Sequence, residues 1–156
     1  MRDQRFIASH LGGPLTREQH VHLSRWASEC SEHILPLLRE HIDERLKHAL
    51  SIAREWENGN ASVGDARKAS LESIAVARES LNPIAVAVAR SVGHAVATAH
   101  MADHSLGAMW YALKAVGQAG QSIETERKWQ DEHLPQDIRG LVLTARGNRK
   151  FKLNFK

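Results

Sequence analysis

Asn82-Pro83-Ile84-Ala85-Val86-Ala87-Val88-Ala89-Arg90-Ser91-Val92-Gly93-His94-Ala95-Val96-Ala97 decides the fold. Asparagine is a preferred N-cap, and proline at the first helical position loses an N–H that has no partner there anyway. The residues behind them are apolar on every side of a 3.6-residue period, the signature of a helix surrounded by other helices. Ala85, Ala89, Gly93 and Ala97 recur every four residues, a groove of small side chains along which a second backbone comes close.

The flanking segments carry the same period. Upstream, Ser62 and Asp65 form an N-terminal signature, and Val63, Ala66, Ser70, Ile74, Ala77 and Leu81 trace a helical stripe that ends at the Asn82-Pro83 turn. So tight a turn predicts antiparallel neighbours. Earlier, Ile42, Leu46, Ala49, Leu50, Ala53 and Trp56 mark a helix closed at Gly59. Before it, Thr16 with Gln19 makes a capping box for Leu23, Trp26, Ala27, Cys30 and Ile34, and Pro36 ends or kinks that helix near Leu35. Downstream, a break between His100 and Ser105 precedes Leu106, Met109, Trp110, Leu113 and Val116. Ser122 caps a polar helix through Trp129, and Pro135 opens a short one with Ile138, Leu141 and Val142. After Ala145 the period falls to two: Phe151, Leu153 and Phe155 alternate with lysines and asparagine. The pattern predicts an all-α, single-domain bundle of about seven helices over residues 1–145, the Ala-rich helix at its centre, and a short basic tail over 146–156.

Composition narrows the function classes. The chain has 156 residues, 42% hydrophobic and 25% charged, enough for one buried core without disulfide or metal staples. The single cysteine, Cys30, cannot form an internal bridge, and on an apolar stripe it acts as a small hydrophobe rather than a nucleophile. Residues 1–10 hold Arg2, Asp3 and Arg5 and no apolar export segment, so the expected location is cytoplasmic. The longest apolar run, 84–102, carries Arg90, which argues against a membrane span. Net charge is +3, but Arg146, Arg149, Lys150, Lys152 and Lys156 all follow residue 143, so the body is slightly acidic. Only the tail is basic, which argues against a nucleic-acid face on the domain; a phosphate-contacting tail is the weaker reading.

Histidines carry the local chemistry. On an unbroken helix His100 and His104 sit one turn apart, the spacing at which two imidazoles share a metal, and His100-Met101-Ala102-Asp103-His104 resembles the inverted zinc-protease order with aspartate in place of glutamate. A metal- or small-molecule site, or a hydrolase, built on His94, His100, Asp103 and His104 is therefore one reading. The other is a buried polar network in which these groups satisfy one another, with Asp103 capping the next helix and no metal or cofactor bound. The sequence has no Gly-rich phosphate loop, and Trp26, Trp56 and Trp110 fall on core stripes.

Several stretches together resemble the immunity-five-like family of bacterial immunity proteins. They are Arg5-Phe6-Ile7-Ala8-Ser9-His10, Gly12-Gly13-Pro14-Leu15-Thr16, Trp26-Ala27, His33-Ile34-Leu35-Pro36, Val63-Gly64-Asp65-Ala66-Arg67-Lys68-Ala69, the segment Gly93 to His104, Leu106-Gly107-Ala108, and Tyr111 to Val116. The likeness spans roughly residues 5–143, and the histidine-containing segment is its specific part; His94, His100, Asp103, His104 and Gly107 match the family's pattern. The resemblance implies a small, helical, cytosolic protein that binds and neutralises a cognate protein toxin and has no catalytic residues. A strongly acidic surface, expected against a cationic toxin, is missing overall; Glu40, Asp43, Glu44, Glu55 and Glu57 offer a local one. The alternating tail also allows a homodimer through strand pairing of residues 150–155.

Overall fold

The structure is a computed structural model that describes residues 3–147. Seven α-helices follow one another among these residues: α1 Arg17–Ile34, α2 Glu44–Glu57, α3 Val63–Glu79, α4 Pro83–Ala97, α5 His104–Gln118, α6 Ile123–Glu132 and α7 Gln136–Ala145. The expected caps form. Thr16 and Ser62 both close reciprocal capping boxes, Asn82 Oδ1 accepts from the N–H groups of Ile84 and Ala85, and Ser122 accepts from Thr125. Gly59, with φ of 80°, follows the end of α2 in the left-handed region. Pro36 sits in a 3₁₀ turn, Leu35–Leu38, that continues α1.

α4 packs against α1, α2, α3 and α5, the central place its all-round apolarity predicts. Two small-residue crossings make this possible. Ala27 of α1, Ala95 of α4 and Ala108 of α5 form a fully buried cluster. Beside it the Ser91 hydroxyl donates to the Ala108 carbonyl (2.8 Å) and accepts from Ser31 (2.8 Å). On the other side the Ser70 hydroxyl donates to the Gly93 carbonyl (3.0 Å). That bond lies far from the Ser80–Asn82 turn on both helices, so α3 and α4 run antiparallel. Outside the crossings, large side chains fill the core, among them Phe6, Trp26, Met109, Leu113 and Ile138. The Trp26 indole N–H donates to the Gln130 carbonyl (2.9 Å), and Gln130 in turn donates to the Met109 carbonyl (3.2 Å), tying α6 to α1 and α5.

Three stripe assignments need correction. In α3 the buried face is Ala66, Ala69, Ser70, Ser73 and Ala77, whereas Val63 is exposed at the first turn and Leu81 lies past the helix end, fully exposed. The small-residue face of α4 demands small or hydroxyl partners, and this moves the interface off the larger apolar residues. Ile42 precedes the N-cap Asp43 and is not part of α2. Arg146, counted with the basic tail, folds back from the end of α7 to an ion pair with Asp131 and is mostly covered. The alternating residues Phe151, Leu153 and Phe155, and with them the homodimer expectation, lie outside the described residues.

A methyl group added at Gly93 would meet Ile74 Cγ1, the Ser70 carbonyl and Ser73 Cβ at 3.6 Å, ordinary contact. Gly93→Ala is therefore expected to stabilise the fold by about 0.5–1 kcal/mol through backbone entropy, and Gly93→Leu to destabilise it by about 1–3 kcal/mol through overpacking. Thermal denaturation of the two variants checks the opposite signs.

Candidate functional site

The histidine cluster sits at the break between α4 and α5. In a continuing helix the Thr98 carbonyl would accept from residue 102. It accepts instead from His20 Nε2 of α1 (2.6 Å), while the Thr98 hydroxyl donates to the His94 carbonyl (3.1 Å). Because a carbonyl only accepts, His20 carries its proton on Nε2. Its ring is 3% exposed, lies 4.8 Å from that of Trp56, and is held by burial below the usual imidazole pKa. α4 ends at Ala97, the chain turns through residues 98–103, and α5 begins at His104, with His20 satisfying a carbonyl that the helix end leaves free.

The turn folds His104 onto the last turn of α4. The Nδ1 atoms of His94 and His104 are 2.9 Å apart, so one ring donates and the other accepts. His94 stacks on Tyr111, with ring centroids 5.4 Å apart. Burial, aided by the charges of His104 and Arg90 and opposed by Asp103, pushes the His94 pKa down to about 4, so the His94 ring is uncharged at neutral pH. The ring also lies directly over Gly107: a Cβ there would sit 2.5 Å from His94 Nδ1. The family-like residues His94, His104 and Gly107 thus form one packed corner.

The four predicted site residues do not converge. His100 is exposed in the turn and does not share a helix face with His104, because the helix stops three residues before it. Asp103 occupies the N-cap position of α5 without a side-chain cap bond, and its charge acts on His94. The recess beside the pair, between Ser70, Ile74, Arg90 and Ala97, measures about 80 Å³, far below the roughly 300–1,000 Å³ of small-molecule sites. Burial, with Glu126, Glu29 and Asp131 nearby, pushes the Cys30 thiol well above its ordinary pKa, which removes its nucleophilic form.

Residues that sequence reading did not single out make a surface next to this corner. A groove of about 560 Å³ is lined by Leu81, Pro83, Val86, Arg90, Tyr111 and Lys114, together with Ala87 and Gln118. Arg90 borders both the groove and the recess. The lining holds two cations and no carboxylate, and Leu81 supplies an apolar edge. The larger cavity, about 760 Å³ near Leu38, Leu46, Val76 and Ile84, is different: its carboxylates Asp43 and Glu79 are both paired with Arg45, at 2.9 and 2.5 Å. Part of the proposed acidic patch is likewise paired, whereas Glu40 and Glu55 are exposed. Glu44 pairs with Lys47, and the Glu57 carboxylate, 2% exposed, accepts from Ser24 and Arg54.

A family model described as "Imm-5 like putative immunity protein" matches residues 13–137, from the loop before α1 to the first turn of α7. No curated protein and no solved structure matches the chain.

Two variants report on the corner. Gly107→Ala pushes a methyl group into a ring already held by Tyr111 and His104, and is expected to cost about 1–3 kcal/mol in urea unfolding, opposite in sign to Gly93→Ala. For His94, the unfolded ring takes up a proton near its ordinary pKa of about 6.5 while the folded ring waits until about 4. Its contribution is therefore complete above pH 6.5 and lost as pH falls towards 4, by up to about 3 kcal/mol. His94→Gln should flatten that part of the stability–pH curve.

Proposed function

Because the chain belongs to the Imm-5-like family of immunity proteins, we propose that it protects the cell that makes it by binding a cognate protein toxin and occluding it, without making or breaking a bond. The family match carries this reading. The corner supports it: His94 and His104, two of the residues that suggested metal or hydrolytic chemistry, brace α4 against α5, and the recess beside them is too small for a substrate. Occlusion needs a rigid surface with an anchor near its middle, and a helix bracketed by four others supplies rigidity. The setting is the cytoplasm, where such a toxin would be met before release. Metal-dependent hydrolysis by His94, His100, Asp103 and His104 is the competing reading, and the separation of His100 from the pair weighs against it.

We assign the toxin-facing surface to the α4/α5 groove, and its occupant to an acidic segment of the toxin. Arg90 and Lys114 face the groove with no lining carboxylate, whereas the carboxylates of the larger cavity, Asp43 and Glu79, are paired with Arg45. Tyr111 and Leu81 provide the amphipathic and apolar contact area that anchors such a segment. A partner of opposite charge is steered in quickly and mismatched partners are repelled.

Co-expression with the toxin encoded beside this chain is expected to restore growth and to give a co-purifying complex. Arg90→Glu and Lys114→Glu are each expected to weaken that complex about tenfold or more, mostly at low salt, with thermal stability unchanged. No rescue and no complex would overturn the immunity reading. Rescue that both charge reversals leave intact would overturn only the surface.

A further inference from the structure

We propose that Glu18, His22 and Asp137 form a binding site for a first-row divalent metal of the zinc type, placed where α1 and α7 both begin. Glu18 and His22 lie one turn apart on α1, and Asp137 is in the first turn of α7. One ligand atom from each residue lies within 4.8 Å of the other two. His22 Nδ1 is already 2.8 Å from Asp137 Oδ2.

The chemistry of the set favours a cation over a simple ion pair. Convergence brings two carboxylates within 4.8 Å of one another, a repulsion that one imidazole offsets incompletely and a dication neutralises. Ligand atoms bound at about 2.0–2.2 Å from one metal stand about 3 Å apart, close to the existing separation of His22 Nδ1 and Asp137 Oδ2. The metal binds the neutral ring at Nδ1 with its one proton on Nε2, so the proton between Nδ1 and Asp137 moves to Nε2 or, if Nε2 already carries one, leaves to solvent. Glu18 is exposed, so its side chain closes the set by rotation about its own bonds. An imidazole with two carboxylates selects zinc, cobalt or nickel over magnesium and calcium, which prefer oxygen alone. Three protein ligands leave at least one position for water. The ion would staple the first turn of α7 to α1, while the Arg146–Asp131 pair holds the other end of α7 to α6. The site is separate from the α4/α5 groove and does not rest on the immunity reading.

The test uses the full chain stripped with a chelator and titrated with Zn²⁺ by calorimetry and with Co²⁺ by visible absorption. One ion per chain is expected, with a melting temperature raised by about 5 °C at a hundredfold excess over Kd. His22→Gln and Asp137→Asn should each weaken binding by about a hundredfold, and Glu18→Gln by about tenfold. If a variant fails to fold, the His22 ring nitrogens of the wild-type protein, followed by ¹⁵N NMR, should shift on adding Zn²⁺. Any of three results overturns the proposal: no saturable binding below millimolar Zn²⁺, equal affinity for Mg²⁺, or a ring signal at His22 that Zn²⁺ leaves unmoved. Binding lost in His94→Gln and kept in His22→Gln overturns it as well, by moving the metal to the other histidines.

Discussion

The rest of the structure depends on the close approach of helix backbones around α4. Ala27, Ala95 and Ala108 meet where α1, α4 and α5 cross, and Gly93 admits α3 on the opposite side. Small side chains contribute little apolar area each. What they allow is proximity, so that serine hydroxyls reach main-chain carbonyls across the interfaces. Ser31, Ser91 and Ser70 are buried, and each has its hydrogen-bonding demand met at these crossings, avoiding the cost of an unpaired polar group. The bulky residues then fill the space farther out. A core of this kind specifies its own geometry, because a residue much larger than alanine at a crossing separates two helices rather than merely crowding a pocket.

The histidine corner follows from that packing. Once α1 lies against α4, His20 is placed to satisfy the Thr98 carbonyl that the end of the helix leaves free. The turn that follows returns His104 to His94, and the absence of a side chain at Gly107 leaves room for the ring. A conspicuous run of histidines is thus consistent with a structural role, and the chemistry of recognition passes to what borders the corner: Arg90, Tyr111 and Lys114. The link between the two is physical. The same helices whose junction the imidazoles brace present the groove on their outer faces, so a firm corner gives a firm binding surface.

Much of the fold was legible from short-range chemistry. Thr16 with Gln19, Ser62 with Asp65, Asn82 with Pro83, and Ser122 each mark a helix start that the structure reproduces, because a cap is a bond between residues two or three apart and needs nothing distant. The central place of α4 was legible too, since a helix apolar on every side has nowhere else to go. Less was legible about the site. His94 and His104 could be named as a pair of interest, yet their contact depends on a break whose free carbonyl, at Thr98, is satisfied by His20, 78 residues away. Extending the Leu23 stripe one turn toward Thr16 would have flagged His20 as buried, but not what it bonds.

By itself, then, the sequence determined the helices, their caps, the all-α architecture and, through a long specific segment, the family. Tertiary structure alone decided which apolar residues stay outside, that Glu57 and Arg146 are consumed in internal pairs, and that His100 stands apart from His94 and His104. It also decided that Glu18, His22 and Asp137 meet. The division has one cause: helix periodicity and capping are read within a few residues, whereas burial and charge pairing depend on which distant segment arrives opposite.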